Sequence, residues 1–289
     1  MVNIDYLYNP EAVREIIYKN YFVDKKLGFS VIKNGMILPQ RYTDDNGKRI
    51  RNYYGVGGIA DSQGKFVTSS FINNSGAGGV YTPSSESIQH SSETVIYLTM
   101  FYPVWGHVIT DNIRRLWFLN NDVFRNEFKN CPIVYIPWYS GTRTFDDPKM
   151  FNARRLLEIL GVDVDKVQPI TQPTRFDKII LFDDAYVFNS YFTNEYREMI
   201  DRVRSFALKN RKPTSSKKIY YFYGRNQIGE ERLAEYFKSK GYEIISPEKL
   251  TLDEQLNCLI NCESFASTAG SCAHNSVFLR DSTETIFIP

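Results

Sequence analysis

Apolar residues along this chain follow two different periods, and the change between them organises it. Residues 46–100 read as short β-prone runs between turn signals. Phe66-Val67-Thr68-Ser69-Ser70-Phe71 follows Asp61-Ser62-Gln63-Gly64, and Asp44-Asp45-Asn46-Gly47 opens the stretch. Upstream, residues 10–22 predict a helix. From residue 95 onward, apolar runs alternate with helical spacing. Residues 95–99, 132–137 and 178–182 are predicted strands. Residues 107–120 place Ile109, Ile113, Leu116 and Trp117 at helical intervals. Residues 152–160 form a predicted helix closed by Gly161, and 194–209 turn Met199, Ile200, Val203 and Phe206 inward.

The polar, proline-containing stretch Asn210-Arg211-Lys212-Pro213-Thr214-Ser215-Ser216 then reads as a linker. Beyond it the alternation is clean. Strands are predicted at 219–223, 242–245, 264–268 and 285–289, and helices at 230–240, 252–262 and 272–279. Thr251 followed by Glu254 is a capping-box signature. Strands alternating with helices imply parallel βαβ units. The fold class is therefore α/β, with an N-terminal domain at 1–209, a linker at 210–216 and a C-terminal domain with a parallel sheet at 217–289. Open parallel sheets bind ligands beyond the carboxyl ends of their strands. That rule directs attention to 224–226, 246–248 and 269–271.

Composition narrows the class. The chain has 289 residues, 43% apolar and 24% charged, which excludes disorder and repeat fibres. Lys+Arg is 35 and Asp+Glu is 33, so a nucleic-acid partner is not expected. The N-terminus lacks a basic then apolar leader, and no apolar run is long enough to span a bilayer. Of the cysteines, Cys258 and Cys262 are four apart, and Cys272 with His274 could complete a metal site. Their spacing is not that of usual zinc ligands, so small buried hydrophobes are expected instead. A reduced, cytoplasmic protein is the expectation. The aromatic content, 15%, leaves open core, interface or sugar platform.

Several groupings could carry chemistry. Ala269-Gly270-Ser271-Cys272-Ala273-His274-Asn275 puts small residues where a strand hands over to a predicted helix, a place suited to a diphosphate. Gly224-Arg225 ends the first strand of the same unit and offers a guanidinium fork for phosphate oxygens. Trp105-Gly106-His107 leads into Asp111 and Arg115. His107 and Asp111, four apart, would share a helix face with Arg115 and suit activation of a hydroxyl beside an anionic donor. The loop at 73–79 lacks the lysine of a phosphate-binding loop. Asp183-Asp184 and Asp146-Asp147 superficially offer metal-binding pairs.

These residues resemble glycosyltransferase family 61. Trp105-Gly106-His107, Asp111 and Arg115-Leu116 are similar to its GHW-x-x-D-x-x-x-RL region. Residues 156–162 are similar to its LxxLGI segment. Tyr223-Gly224-Arg225, residues 241–248, Leu252–Gln255, Ala269–Asn275 and residues 285–289 follow its remaining segments in order. Ala269 stands where the family commonly has His, and Gly229 where it often has Asn.

The resemblance implies an inverting transferase of GT-B type: two Rossmann-like domains, no cofactor and no essential metal. Such an enzyme moves a sugar of the N-acetylglucosamine or xylose class from a nucleotide diphosphate donor to a glycan acceptor hydroxyl, in surface polysaccharide biosynthesis. Peripheral association with a membrane-bound polysaccharide assembly system is an expectation of the same kind. The C-terminal domain is expected to hold the donor through Arg225, Glu230, Gly270, Ser271 and Asn275. Asp111 is expected to be the base, with His107 orienting it or sharing the proton, and the reverse assignment remains open. Arg115 is expected to orient Asp111, and Trp105 to face the acceptor. Tyr102, Trp138 and Tyr139 join Trp105 as an expected sugar platform. The alternatives are a metal-dependent GT-A enzyme using Asp183 and Asp184, and a non-catalytic nucleotide- or glycan-binding relative.

Overall fold

A computed structural model describes residues 19–44, 46–50, 55–70, 79–138, 144–214, 217–224 and 229–288. Asp45, Tyr139, Arg225, most of the 73–79 loop, most of the predicted helix 10–22 and part of the linker lie outside these residues.

The N-terminal half is built on an eight-stranded sheet in the order β4-β3-β2-β8-β5-β6-β7, with β1 also paired to β8. The strands are β1 (Phe29–Lys33), β2 (Met36–Arg41), β3 (Val56–Ala60), β4 (Phe66–Val67), β5 (Gln89–Phe101), β6 (Ile133–Pro137), β7 (Gln168–Pro169) and β8 (Thr174–Phe182). β5 runs parallel to both β6 and β8, but β1 to β4 pair antiparallel with their neighbours. Where a Rossmann-like domain was expected, the sheet is mixed: β8, β5, β6 and β7 run parallel, and β1 to β4 extend them antiparallel. The reason is local. The turn Asp61–Gly64, closed by Asp61 N–H to Lys65 O at 2.9 Å with Gly64 at φ +79°, reverses the chain into a hairpin. A crossover helix has no room to form there. β9 (Tyr186–Val187) and β10 (Tyr191–Phe192) make a small separate hairpin.

The C-terminal half matches its pattern closely. β11 (Lys218–Tyr221), β12 (Glu243–Ile245), β13 (Ser264–Thr268) and β14 (Glu284–Ile288) form an all-parallel sheet in the order β12-β11-β13-β14. Helices Glu230–Ser239 and Leu252–Asn261 are the crossovers, and the latter carries the full Thr251–Glu254 capping box. The predicted helix at 272–279 is instead a six-residue 3-10 helix, Ala273–Phe278.

The halves share one core. Leu156, Leu157 and Val203, from helices Phe151–Ile159 and Asn194–Lys209, belong to the same apolar cluster as Leu252, Leu256 and Leu259. Asn152 Nδ2 donates to Leu250 O at 3.0 Å, and Arg155 pairs with Asp253 at 3.2 Å. The described part of the 210–216 stretch is pinned to helix Leu252–Asn261. Lys212 N–H donates to Asn257 Oδ1 at 2.8 Å, and Asn261 Nδ2 to Lys212 O at 2.9 Å. Among the described residues no helix is long and apolar enough to cross a membrane.

Candidate active site

A cavity of about 570 Å³ lies where the halves meet. From the N-terminal half it is lined by Pro103, Val104, Trp105 and Val108, just past β5, and by Lys149, Asn152 and Ala153. The C-terminal half adds Tyr223 and Gly224 past β11, Pro247 and Glu248 past β12, and Ser271, Cys272 and Asn275 past β13. These are the carboxyl ends of parallel strands, the edge where such sheets hold ligands. Gly224 sits at φ +68° and Gly270 at φ +127°, conformations that disfavour a side chain. Buried Gln255, not singled out from sequence, holds the 247–250 turn by donating to Pro247 O at 2.8 Å and Leu250 O at 3.1 Å. A larger cavity of about 840 Å³, bordered by Arg155, Phe206, Lys249, Asp253 and Cys258, lies along the same seam but contains none of the residues nominated for donor, acceptor or catalysis.

Trp105 and Asn275, nominated for opposite partners, meet directly: Trp105 Nε1 donates to Asn275 Oδ1 at 3.0 Å. Asn275 Nδ2 in turn donates to Cys272 O at 3.1 Å. Glu230 is 3% exposed, and its Oε1 accepts from Tyr223 N–H at 2.6 Å. Its Oε2 is buried without a hydrogen-bond partner among the described residues, and Glu230 is not part of the cavity wall. Gly270 belongs to the same loop as Ser271 but is not in the cavity wall. The short 3-10 helix after it corrects the expectation of a full helix whose dipole would face a phosphate.

The predicted helix 107–120 is broken at the turn that carries His107 and Asp111. Trp105–His107 is one helical turn, Val108–Asn112 a π turn, and Leu116–Asn120 a 3-10 turn. Such π turns widen a helix locally and recur at functional sites. Thr110 Oγ1 lies 2.9 Å from Gly106 O and 3.0 Å from Asp111 Oδ2, which favours the irregular path. His107 Nδ1 lies 2.7 Å from Asp111 Oδ2, with side chains 30% and 7% exposed respectively. Trp105 and Val108 line the cavity, whereas His107 and Asp111 are not part of its wall.

Arg115 does not reach Asp111 as expected. Its guanidinium donates to Leu98 O at 2.8 Å, Phe182 O at 3.1 Å and Ser69 O, and pairs with Asp184 at 2.9 Å. The neighbouring Arg114 is the one that faces Asp111, at 3.4 Å, while its Nε donates to Asp184 Oδ1 at 2.7 Å. The π turn ends at Asn112 and a tighter 3-10 turn begins at Leu116, so Asp111 meets the arginine three residues on instead of the one four residues on. Both guanidiniums are 1% exposed. Burial lowers Arg115 to about 10, helped by Arg114 and opposed by Asp184. Burial also acts against Arg114, but Asp184 and Asp111 outweigh it and hold that group above its ordinary value.

Asp184 is thus committed to two arginines, and Asp183 Oδ2 accepts from Gly28 N–H at 2.8 Å. Among the described residues no cluster of three His, Cys, Asp or Glu side chains could hold a metal. Cys262 is buried, its thiol pushed up to about 11 by burial. Of the expected sugar platform, Tyr102 is 7% and Trp138 2% exposed, and their rings pack at 4.2 Å. They support His107, whose ring meets Tyr102 at 4.6 Å, and do not present an open stacking face. His274 packs on Gly106 from the other half, a contact no linear motif signals.

The comparison with known families bears on this seam. The family model Glycosyltransferase 61 matches residues 105–286. The chain belongs to glycosyltransferase family 61. The match begins at Trp105 and ends within β14, so it takes in the turn that bears His107 and Asp111 and nearly all of the parallel sheet. No curated protein matches the chain. As a family 61 glycosyltransferase, the protein is an enzyme that uses a sugar donor and a glycan acceptor.

Proposed function

We propose that this glycosyltransferase is an inverting enzyme of GT-B type that holds a nucleotide diphosphate sugar in the cleft between its halves and needs no metal. The observation that carries the reading is the cavity at the carboxyl ends of β11, β12 and β13, closed on its other side by the turn that bears His107 and Asp111. Ser271 and Asn275 would lie along the diphosphate, with Gly270 allowing the tight loop. Glu230 Oε2, a buried acceptor without a partner among the described residues, suits a hydroxyl of the nucleoside. Arg225 is retained as a phosphate ligand on its sequence context alone. The commitment of Asp183 and Asp184 to Gly28 N–H and to arginines favours this over the metal-dependent alternative.

The geometry favours His107 as the base over Asp111. Asp111 is enclosed, with one oxygen facing Arg114 and the other taken by His107 Nδ1 and Thr110. That arrangement fixes the imidazole and leaves Nε2 as the nitrogen that takes the proton. The acceptor oxygen then attacks the anomeric carbon as its proton passes to His107. The bond from that carbon to the diphosphate breaks, and the leaving group departs with the electron pair. Configuration inverts because attack and departure occur on opposite faces.

A sugar of the N-acetylglucosamine or xylose class, a surface polysaccharide acceptor, a cytoplasmic setting and peripheral association with a membrane-bound assembly system complete the proposal, resting on the family resemblance. A thermal-shift screen of nucleotide sugars is the direct test, since a donor that binds the folded state alone raises the melting temperature. Transfer that continues in excess chelator is the expected result. Loss of transfer there would restore the metal-dependent reading, and donor binding without transfer or hydrolysis would make the protein a non-catalytic relative.

A further inference from the structure

Arg114 takes no direct part in the proton transfer, yet it is the buried cation that faces Asp111. Its Nε donates to Asp184 Oδ1 at 2.7 Å, and its Nη1 lies 3.4 Å from Asp111 Oδ1. The other Asp111 oxygen, Oδ2, lies 2.7 Å from His107 Nδ1 and 3.0 Å from Thr110 Oγ1. Asp184 is held in turn by Arg115 at 2.9 Å, and the Arg115 guanidinium is fixed on the carbonyls of Leu98 in β5 and Phe182 in β8. Arg115, Asp184, Arg114 and Asp111 thus form a chain of buried charges that runs from β5 and β8 to the imidazole.

The backbone of the turn has supports of its own. The Tyr196 hydroxyl donates to Ile109 O at 3.0 Å, Asn112 Nδ2 to Tyr102 O at 2.8 Å, and Ala185 N–H to Arg114 O at 3.0 Å. None of these bonds uses the side chain at 114, so the path of the chain is held without it. The direction of the Asp111 carboxylate is not. A buried carboxylate needs a partner of opposite charge, and one that loses its cation turns away or takes up a proton. It then stops accepting from a ring N–H. An imidazole whose Nδ1–H has lost its acceptor can carry the proton on Nε2 instead, and that tautomer has no lone pair there to receive a proton.

We propose that Arg114 is the positioning residue of the base: by facing Asp111 Oδ1 it keeps Oδ2 turned to Nδ1 and so holds His107 in the tautomer that leaves Nε2 free. This rests on His107 being the base. Arg114 is 1% exposed and touches neither donor nor acceptor; it acts through Asp111. Arg115, expected from the sequence to orient Asp111, acts one step further back, by anchoring Asp184.

The test is ring-nitrogen NMR on the full chain, which has three histidines, His90, His107 and His274, so that His107→Gln identifies the signals in question. In buffer of about pH 9, where ordinary imidazoles are neutral, the wild type should show His107 as one tautomer with its proton on Nδ1. Arg114→Met should give a mixture of tautomers. Arg114→Lys keeps the charge but has a single nitrogen for Asp184 and Asp111, and should lie between. Hydrolysis of UDP-N-acetylglucosamine or UDP-xylose, whichever raises the melting temperature, is the second readout, with water as the acceptor. Arg114→Met should lower kcat by about 10- to 100-fold, as for groups that orient a histidine from behind, with KM and UDP affinity unchanged, and Arg114→Lys should recover part of the loss. A wild type with its proton on Nε2, a pure Nδ1–H tautomer or an undiminished kcat in Arg114→Met, or a loss of UDP affinity as large as the loss of kcat overturns the proposal. Should Arg114→Met not fold, Arg114→Lys decides, and a wild-type tautomer with wild-type kcat overturns the proposal. If neither sugar nucleotide binds, the ring spectra decide alone. Full hydrolysis by His107→Ala refutes the base itself, and this inference with it, whatever the spectra of the Arg114 variants show.

Discussion

The two halves make their contributions to the site in opposite ways. The C-terminal half is regular: parallel strands, crossover helices, and short loops at one edge that together form a groove. Apart from Glu248 its described side chains there are uncharged, and the topology does most of the shaping. The N-terminal half is irregular where it matters. It breaks a helix into three turn types and buries two arginines and two aspartates beneath the break. A generic fold edge suffices to create a space for a ligand. Placing a proton acceptor beside that space requires side chains held against their intrinsic preferences.

The largest test of this contrast is chemical. His107→Ala should lower transfer by about 10²- to 10⁴-fold, the usual worth of a positioned acid–base group, with nucleoside diphosphate affinity unchanged. Arg225→Ala should weaken that affinity in calorimetry. If His107→Ala lost binding, or retained near-full turnover, the division of labour between the halves would collapse. Next comes Arg114→Ala, which leaves Asp111 and Asp184 as poorly compensated buried charges. A loss of about 3–5 kcal/mol in urea unfolding is expected, far beyond a surface substitution. The smallest effect belongs to the regular half. Thr251→Ala removes the capping box of helix Leu252–Asn261 and should cost about 1 kcal/mol by the same measurement, without altering proton transfer. A larger loss for Thr251→Ala than for Arg114→Ala would invert the comparison.

The same contrast explains what could be read in advance. The strands and helices after residue 217 were legible because each carries its own period, caps and glycines, and parallel pairing follows from alternation. The groove loops followed from the rule of strand ends. The N-terminal sheet was harder. β2 is buried on both faces, so Met36–Arg41 shows no alternation, and the first five residues of β5 are polar yet pair with β8. The His107–Asp111 pair was legible as an i, i+4 spacing, but the role of Arg115 was not. The break in the helix after Asn112 gives the ion pair to Arg114, and nothing in linear spacing signals it. Likewise the contact of His274 with Gly106 joins residues far apart in sequence, which only packing reveals.

The stretch between the halves has a kinetic consequence. Arg211 and Lys212 are fastened to helix Leu252–Asn261, and one apolar cluster joins the halves. Swinging the halves apart would bring that cluster into contact with water, at about 25 cal/mol for each Å² uncovered. A wide hinge opening is thus an expensive way to admit a nucleotide. Donor and product should instead pass by local rearrangement of loops and side chains at the cavity mouth, on the faster timescale of such motions rather than that of domain closure.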